Sequence, residues 1–167
     1  MLTDNRAIIA SPRDLSQSVD AELSAFRDFV QVLHTEQEAL IQGDIDRLIE
    51  LARLKSEKVL LLSQFAERRN RYLAANGRNP EQRGSMDKWL QQHGGESPHT
   101  AEAWEQLLEQ AKIAQQINQV NGNLIEIKLR FNQQALTLLQ TAANQTGIYG
   151  PDGQTHASGL GRPLGKV

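Results

Sequence analysis

Apolar residues recur along most of the chain with the spacing of amphipathic helices. In the first such stretch they step by 4, 3, 4, 3 and 7 residues, at Val19, Leu23, Phe26, Val30, Leu33 and Leu40. This spacing places them on one side of a helix. Ser11 and Pro12 suit the start of that helix. Gly43 suits its end, because glycine readily adopts the left-handed conformation that closes a helix. A first helix is therefore predicted over residues 12–42.

A second helix is predicted over residues 44–76, with Asp44 as its N-terminal cap. We expect its inward face to comprise Ile45, Leu48, Ala52, Val59, Leu62 and Ala66, widened by Leu51, Leu54, Leu61 and Phe65. Because the connection at Gly43 is so short, the two helices should form an antiparallel hairpin.

Residues 76–99 interrupt this pattern with glycines, prolines and asparagines typical of turns. They predict a connector with one short helix over residues 85–92. The longest helix follows, over residues 100–143, and one of its apolar stripes comprises Ile113, Ile117, Val120, Leu124, Ile127, Phe131 and Leu138. The rhythm continues through Gly122 without a change of phase, so no hairpin turn is expected there. Since glycine is costly inside a helix, we expect Gly122 to permit a close contact with another helix or a binding partner.

The predicted fold class is all-α: an antiparallel helical hairpin plus a long third helix, in an elongated three-helix, coiled-coil-like bundle. The bundle domain is predicted to cover residues 1–145. The tail, residues 146–167, is rich in glycine and proline and poor in apolar residues, and we expect it to be mobile.

The long helix carries a second apolar-containing stripe with several asparagines. It comprises Leu107, Ala111, Ala114, Asn118, Asn121, Ile125, Leu129, Asn132, Leu136 and Leu139. In one interpretation the first two helices cover one stripe each; in the other, one stripe stays partly open as a groove for a partner helix. Asn118, Asn121 and Asn132 favour the open groove, because a buried amide must find hydrogen-bonding partners.

Composition and charge exclude several classes of function. With 18 basic and 20 acidic residues the net charge is -2, and no basic cluster indicates a nucleic-acid partner. The chain has no cysteine. Residues 1–10 lack the features of a signal peptide, and the longest aliphatic run, residues 59–62, is too short to span a bilayer. We therefore expect a cytoplasmic protein with no membrane insertion.

The sequence offers little for catalysis or metal binding. The histidines lie in different elements, and no two of them have the i, i+3 or i+4 spacing of a helical metal site; they are His34, His93, His99 and His156. Glu36 and Glu38 are interpreted as part of a solvent-exposed helix face. Trp89 and Trp104 are interpreted as packing residues. No nucleophile or nucleotide-binding motif is present, so the sequence predicts a non-enzyme without metal or cofactor.

Two segments resemble the FlgN family of flagellar export chaperones. The longer one comprises Asn118, Asn121-Gly122, Leu124-Ile125, Asn132, Leu136 and Leu139, followed by Tyr149-Gly150 and Gly153. An earlier stretch is similar to the first hairpin of the family; it comprises Leu40, Gly43-Asp44, Leu48, Leu51 and residues 55–62. Together they cover most of the chain in the same order as in the family.

The resemblance implies a small chaperone that binds the hook-filament junction proteins FlgK and FlgL before secretion and brings them to the flagellar type III export gate. The family's client-binding region carries over to Leu129, Asn132, Leu136, Leu139 and Tyr149. Tyr149 could instead belong to the contact with the export gate. The other family-motif residues, with a structural or binding role, are Asn118, Asn121, Gly122 and Ile125.

Two other functional classes remain as alternatives. One is a structural or regulatory coiled-coil protein that self-associates through the same stripes. The other, more distant, is an enzyme with a metal site in a helical bundle. The sequence leaves open whether the free protein is a monomer or a homodimer.

Overall fold

The computed structural model describes residues 9–80, 82, 84–93 and 98–146. Every regular element in these ranges is an α-helix: α1 (Pro12–Gln42), α2 (Ile45–Ala75), α3 (Ser85–His93) and α4 (Pro98–Thr146). The predicted all-α class is therefore confirmed. Residues 147–167 lie outside the described ranges, and so does nearly all of the predicted mobile tail. By its internal contacts the chain divides into two compact units, residues 1–124 and 125–167.

Local hydrogen bonds explain where α1 begins. The side chain of Ser11 accepts a hydrogen bond from the backbone N–H of Asp14 at 3.2 Å, and the Asp14 carboxylate accepts one from the backbone N–H of Ser11 at 3.0 Å. This reciprocal arrangement is a capping box, which satisfies N–H groups that have no partner inside the helix. Pro12 then occupies the first turn, where its missing N–H is harmless.

The turn between α1 and α2 has the predicted chemistry. Gly43 adopts φ 76° and ψ 26°, a left-handed conformation that favours glycine. Its N–H donates to the Ala39 carbonyl at 2.8 Å. Asp44 caps α2 at once, because its side chain accepts a hydrogen bond from the N–H of Arg47 at 3.1 Å. Two helices joined by two residues must double back on each other.

Ion pairs between the two helices show their antiparallel direction. Glu36 pairs with Lys55, Asp28 with Lys58, and Glu22 with Arg69. The residue numbers fall along α1 as they rise along α2. Burial raises the pKa of the Glu22 carboxyl, and the nearby charge of Arg69 opposes that rise.

The inward face of α2 matches the predicted one in part. The buried residues are Leu51, Leu62, Phe65, Tyr72 and Leu73. Of the predicted face, Leu51, Leu62 and Phe65 are therefore buried as expected, whereas Ile45, Ala52 and Val59 are exposed. The prediction was wrong for these last three because α2 has apolar residues on two adjacent faces. The face that contains Phe65 and Tyr72 packs inward, and aromatic rings bury the largest apolar area.

The largest core cluster joins all four helices around Trp89 of α3. Trp89 is 1% exposed and meets the Tyr72 ring edge-on, with centroids 5.9 Å apart. Trp104 of α4 belongs to the same cluster and donates a hydrogen bond to Asp87 at 2.9 Å. The packing role predicted for both tryptophans is confirmed. Because α3 carries this buried tryptophan, α3 is an integral part of the core.

Within residues 1–124, α4 runs parallel to α1. Arg27 donates a hydrogen bond to Gln106 at 2.8 Å, and His99 lies 3.1 Å from Asp20. Further along, Ala114 packs against buried residues of α1. No described helix has both the length and the apolar character needed to cross a membrane.

Gly122 lies inside α4, as the unbroken rhythm predicted, and no hairpin turn occurs there. A methyl group added at its Cα would meet no described atom within 4 Å. The expected close contact between Gly122 and another helix is therefore absent among the described residues. The alternative, a contact with a binding partner, remains a prediction.

Gly122→Ala is expected to raise the free energy of unfolding by about 0.5–1 kcal/mol, because alanine loses less backbone entropy in a helix and meets no steric obstacle here. Denaturant unfolding monitored by circular dichroism measures this. A variant less stable than the wild type would contradict the open surroundings of Gly122.

Candidate protein-binding site

The C-terminal part of α4 exposes a row of large apolar side chains. Ile125 is 48% exposed, Leu129 55%, Leu136 58% and Leu139 67%. Asn132 lies among them and is also exposed. We call these five residues the C-terminal stripe. Their steps of 4, 3, 4 and 3 residues keep them on one helix face.

The other stripe of α4 is covered by the first helix only in its N-terminal part. Ile113 and Ile117 are half-buried against α1. Further along, Val120, Ile127, Phe131 and Leu138 are all exposed. Spacing shows which residues share a face, but it does not show whether another element lies over that face.

The exposed apolar region is almost free of charge. Residues 131–146 contain no Asp, Glu, Lys or Arg. Just before them, Glu126 and Arg130 approach each other to 3.5 Å and are both largely exposed. Contiguous apolar surface on a folded chain marks a place where another molecule binds. Such a surface is suited to binding by apolar burial.

A buried polar contact joins α1, α2 and α4. Lys55 donates to both carboxylate oxygens of Glu36, at 3.0 and 2.9 Å. The side-chain amide of Asn121 donates to Glu36 at 2.8 Å and to the Leu33 carbonyl at 2.9 Å. We call Glu36, Lys55 and Asn121 the polar cluster. Glu36 is 7% exposed and Asn121 1%, so water cannot replace these bonds if one partner is lost.

The polar cluster corrects two predictions. Glu36 was interpreted as solvent-exposed, and Asn121 was grouped with asparagines unsuited to a core. Their burial is compensated because the Asn121 amide nitrogen donates to the Glu36 carboxylate and Lys55 balances its charge, although the Asn121 side-chain oxygen has no hydrogen-bond partner among the described residues. The sequence did contain a signal for Glu36: it lies three residues after Leu33 and four before Leu40, within the inward stripe of α1.

The residues predicted from the family motif thus separate into two groups. Asn121 belongs to the packed interior, whereas Asn118, Ile125 and four others are exposed; those four are Leu129, Asn132, Leu136 and Leu139. Gly122 is exposed in the helix between the groups. Tyr149 lies outside the described residues.

The three histidines that the structure describes have different neighbours, and His156 lies outside the described residues. His93 stacks on the Trp89 ring with centroids 4.6 Å apart, His99 faces Asp20, and His34 is exposed. Within the described part of the chain, no group of three His, Cys, Asp or Glu residues is placed to hold a metal ion.

Comparison with known proteins points to one family. The family model described as FlgN protein matches residues 11–157. The chain is 31% identical to the flagella synthesis protein FlgN of Salmonella typhimurium over 147 residues, 88% of this chain and 94% of that protein. It is 29% identical to the protein of the same name from Proteus mirabilis, over 87% of this chain and 92% of that protein. No solved structure matches significantly.

Asn121→Ala should lower the free energy of unfolding by about 1–3 kcal/mol, because it removes two hydrogen bonds from the buried polar cluster. Asn118→Ala, the same change at an exposed position on the same helix, should alter it by about 0.5 kcal/mol at most. Denaturant melts of both variants give the comparison. Equal effects would show that the polar cluster contributes no stability.

Proposed function

The chain belongs to the FlgN family of flagella synthesis proteins, and from this membership we propose that it acts as a cytoplasmic export chaperone. In this proposal it binds hook-filament junction proteins of the FlgK and FlgL type and delivers them to the flagellar type III export gate. The observation that carries the proposal is the exposed, nearly charge-free apolar surface on the C-terminal part of α4.

The C-terminal stripe suits the capture of an amphipathic client helix. Its leucines and isoleucine recur with the spacing that a partner helix recognises in a groove. Each of these side chains is about half exposed or more in the free protein, so burial against a client contributes binding free energy that the free chain does not use. Leu129, Leu136 and Leu139 are proposed as the apolar centre, with Asn132 bonded to a polar group of the client.

Release of the client needs no chemical step in this proposal. The sequence carries no nucleotide-binding motif, and apolar contacts on one helix face are reversible. The export machinery would displace the client by competing for it. Accordingly we propose that the protein is not an enzyme and needs no metal; metal analysis of the purified protein is the direct check.

A second candidate function is self-association as a coiled-coil protein. The observation that favours it is the other exposed stripe, with Ile127, Phe131 and Leu138. Light scattering during size-exclusion chromatography separates the two proposals. A chaperone forms a new complex when FlgK or FlgL is added, whereas a self-associating rod forms large homomers without them.

Replacing both Leu136 and Leu139 by alanine should separate binding from folding. Both side chains are exposed, so the melting temperature should barely change. Client affinity should fall by about 2 kcal/mol or more for each central anchor, which is about 30-fold apiece. Isothermal titration with FlgK and FlgL measures this.

Leu108→Ala is the matched control, since Leu108 is an exposed leucine on the same helix but outside the stripe. It should leave client affinity within a few-fold of wild type. If the double variant unfolds, these leucines belong to the core; if it folds and binds normally, the client site lies elsewhere.

Tyr149→Ala distinguishes the two roles proposed for that residue. A role in client binding predicts weaker affinity for FlgK or FlgL in titration. A role at the export gate predicts unchanged affinity but reduced secretion of the client into the culture medium. Normal affinity and normal secretion would remove Tyr149 from the site.

A further inference from the structure

Two segments of α4 repeat one pattern at a distance of eleven residues. Val120 and Asn121 are followed by Ile125 and Ile127, and the second copy reads Phe131, Asn132, Leu136 and Leu138. Eleven residues are about three helical turns, so the residues of the second copy have the same spacing among themselves on the helix surface as those of the first.

The first copy shows what this pattern binds. Asn121 faces α1, a helix parallel to α4, and donates to the carboxylate of Glu36 and the carbonyl of Leu33. Lys55 supplies the cation that balances the carboxylate. On α1 the glutamate stands within an apolar stripe, three residues after Leu33 and four before Leu40, both of which are buried.

The second copy has the same amide and brings its own cation. Asn132 is exposed, and Lys128 lies four residues before it, so the two side chains are neighbours on the helix surface. Lys128 makes no ion pair with any described residue, whereas the two other charged residues of this part of α4, Glu126 and Arg130, pair with each other. The first copy has Ile117 at the position that corresponds to Lys128. In the second copy, Lys128 of α4 itself is placed to supply the positive charge that Lys55 of α2 supplies in the first copy.

We propose that the client presents to the C-terminal stripe a helix that resembles α1: it runs parallel to α4 and carries a carboxylate within its apolar stripe. The client's Glu or Asp accepts a hydrogen bond from Asn132 and pairs with Lys128, while its flanking apolar residues cover Leu129 and Leu136. This inference rests on the proposed function and adds the chemistry and direction of the partner helix.

The contacts of the polar cluster favour a client over a second copy of this chain. The α1 helix of a second copy would offer Glu36, but that carboxylate is already bound by Lys55 and Asn121 of its own chain. If Glu36 of the second copy bound to the C-terminal stripe, its buried ion pair with Lys55 would be broken. A different protein with an unpaired carboxylate has no such cost.

The test replaces Asn132 by a residue with the same negative charge as the proposed client carboxylate. Asn132→Asp should weaken binding of FlgK or FlgL at least about tenfold, because two carboxylates would face each other in a desolvated contact. Asn132→Lys should bind at least as well as Asn132→Ala. Thr137→Asp is the matched control: it is the same charge change at an exposed position about 140° around the helix, and it should stay within about twofold of wild type.

Lys128 gives a second, independent measurement. Lys128→Gln should weaken client binding and reduce its dependence on salt, since one screened ion pair is removed. In addition, one Glu→Lys or Asp→Lys change in a client helix should restore binding to Asn132→Asp. Melting temperatures of all chaperone variants should match the wild type, because both positions lie outside the core.

Equal affinities of Asn132→Asp and Thr137→Asp, or tighter binding by Asn132→Asp, would overturn the inference. These results would leave the proposed function standing as long as the wild-type protein binds FlgK or FlgL and Leu136→Ala with Leu139→Ala weakens that binding. Failure of the proposed function shows differently: the wild-type protein then forms no complex with FlgK or FlgL.

Discussion

The buried contact of Glu36 with Lys55 and Asn121 is the interaction on which the arrangement of the long helices depends. Each of α1, α2 and α4 contributes one polar side chain to this contact. A carboxylate in the interior needs ionic and hydrogen-bonding partners, so Glu36 favours the alignment that brings Lys55 and Asn121 beside it. Apolar faces alone fit one another in several alignments, whereas this contact permits one. Buried polar groups select alignment in coiled coils for the same reason.

One continuous helix therefore combines two different kinds of surface. Up to Asn121, the inward side of α4 is buried by α1 and by the cluster around Trp89. Beyond Leu124, its apolar side chains are exposed although the sequence pattern continues unchanged. Under the proposed function, stability and binding are consequently carried by different residues. The proposed binding leucines can be exposed without weakening the fold, and the nearly uncharged helix would have little to repel an apolar client.

Local signals in the sequence predicted most of the fold. The caps at Ser11, Gly43 and Asp44 each act through bonds within a few residues, so sequence reveals them directly. The inward face of α2 was assigned only in part, because two adjacent faces were apolar and the position of α1 decides between them. Asn121 and Glu36 were misassigned for a related reason: their burial is stabilised by partners far away in sequence. For the candidate binding site, spacing identified a coherent stripe, but its exposure depends on which elements cover it.

Hydrogen exchange along α4, measured with and without a FlgK-type client, tests the central claim most directly. The account predicts that backbone amides of residues 100–121 exchange slowly in the free protein and change little on client addition. Amides of residues 125–144 should exchange faster in the free protein and become strongly protected in the complex. Strong protection of the C-terminal part before any client is added, or new protection confined to the α1–α2 hairpin, would contradict it.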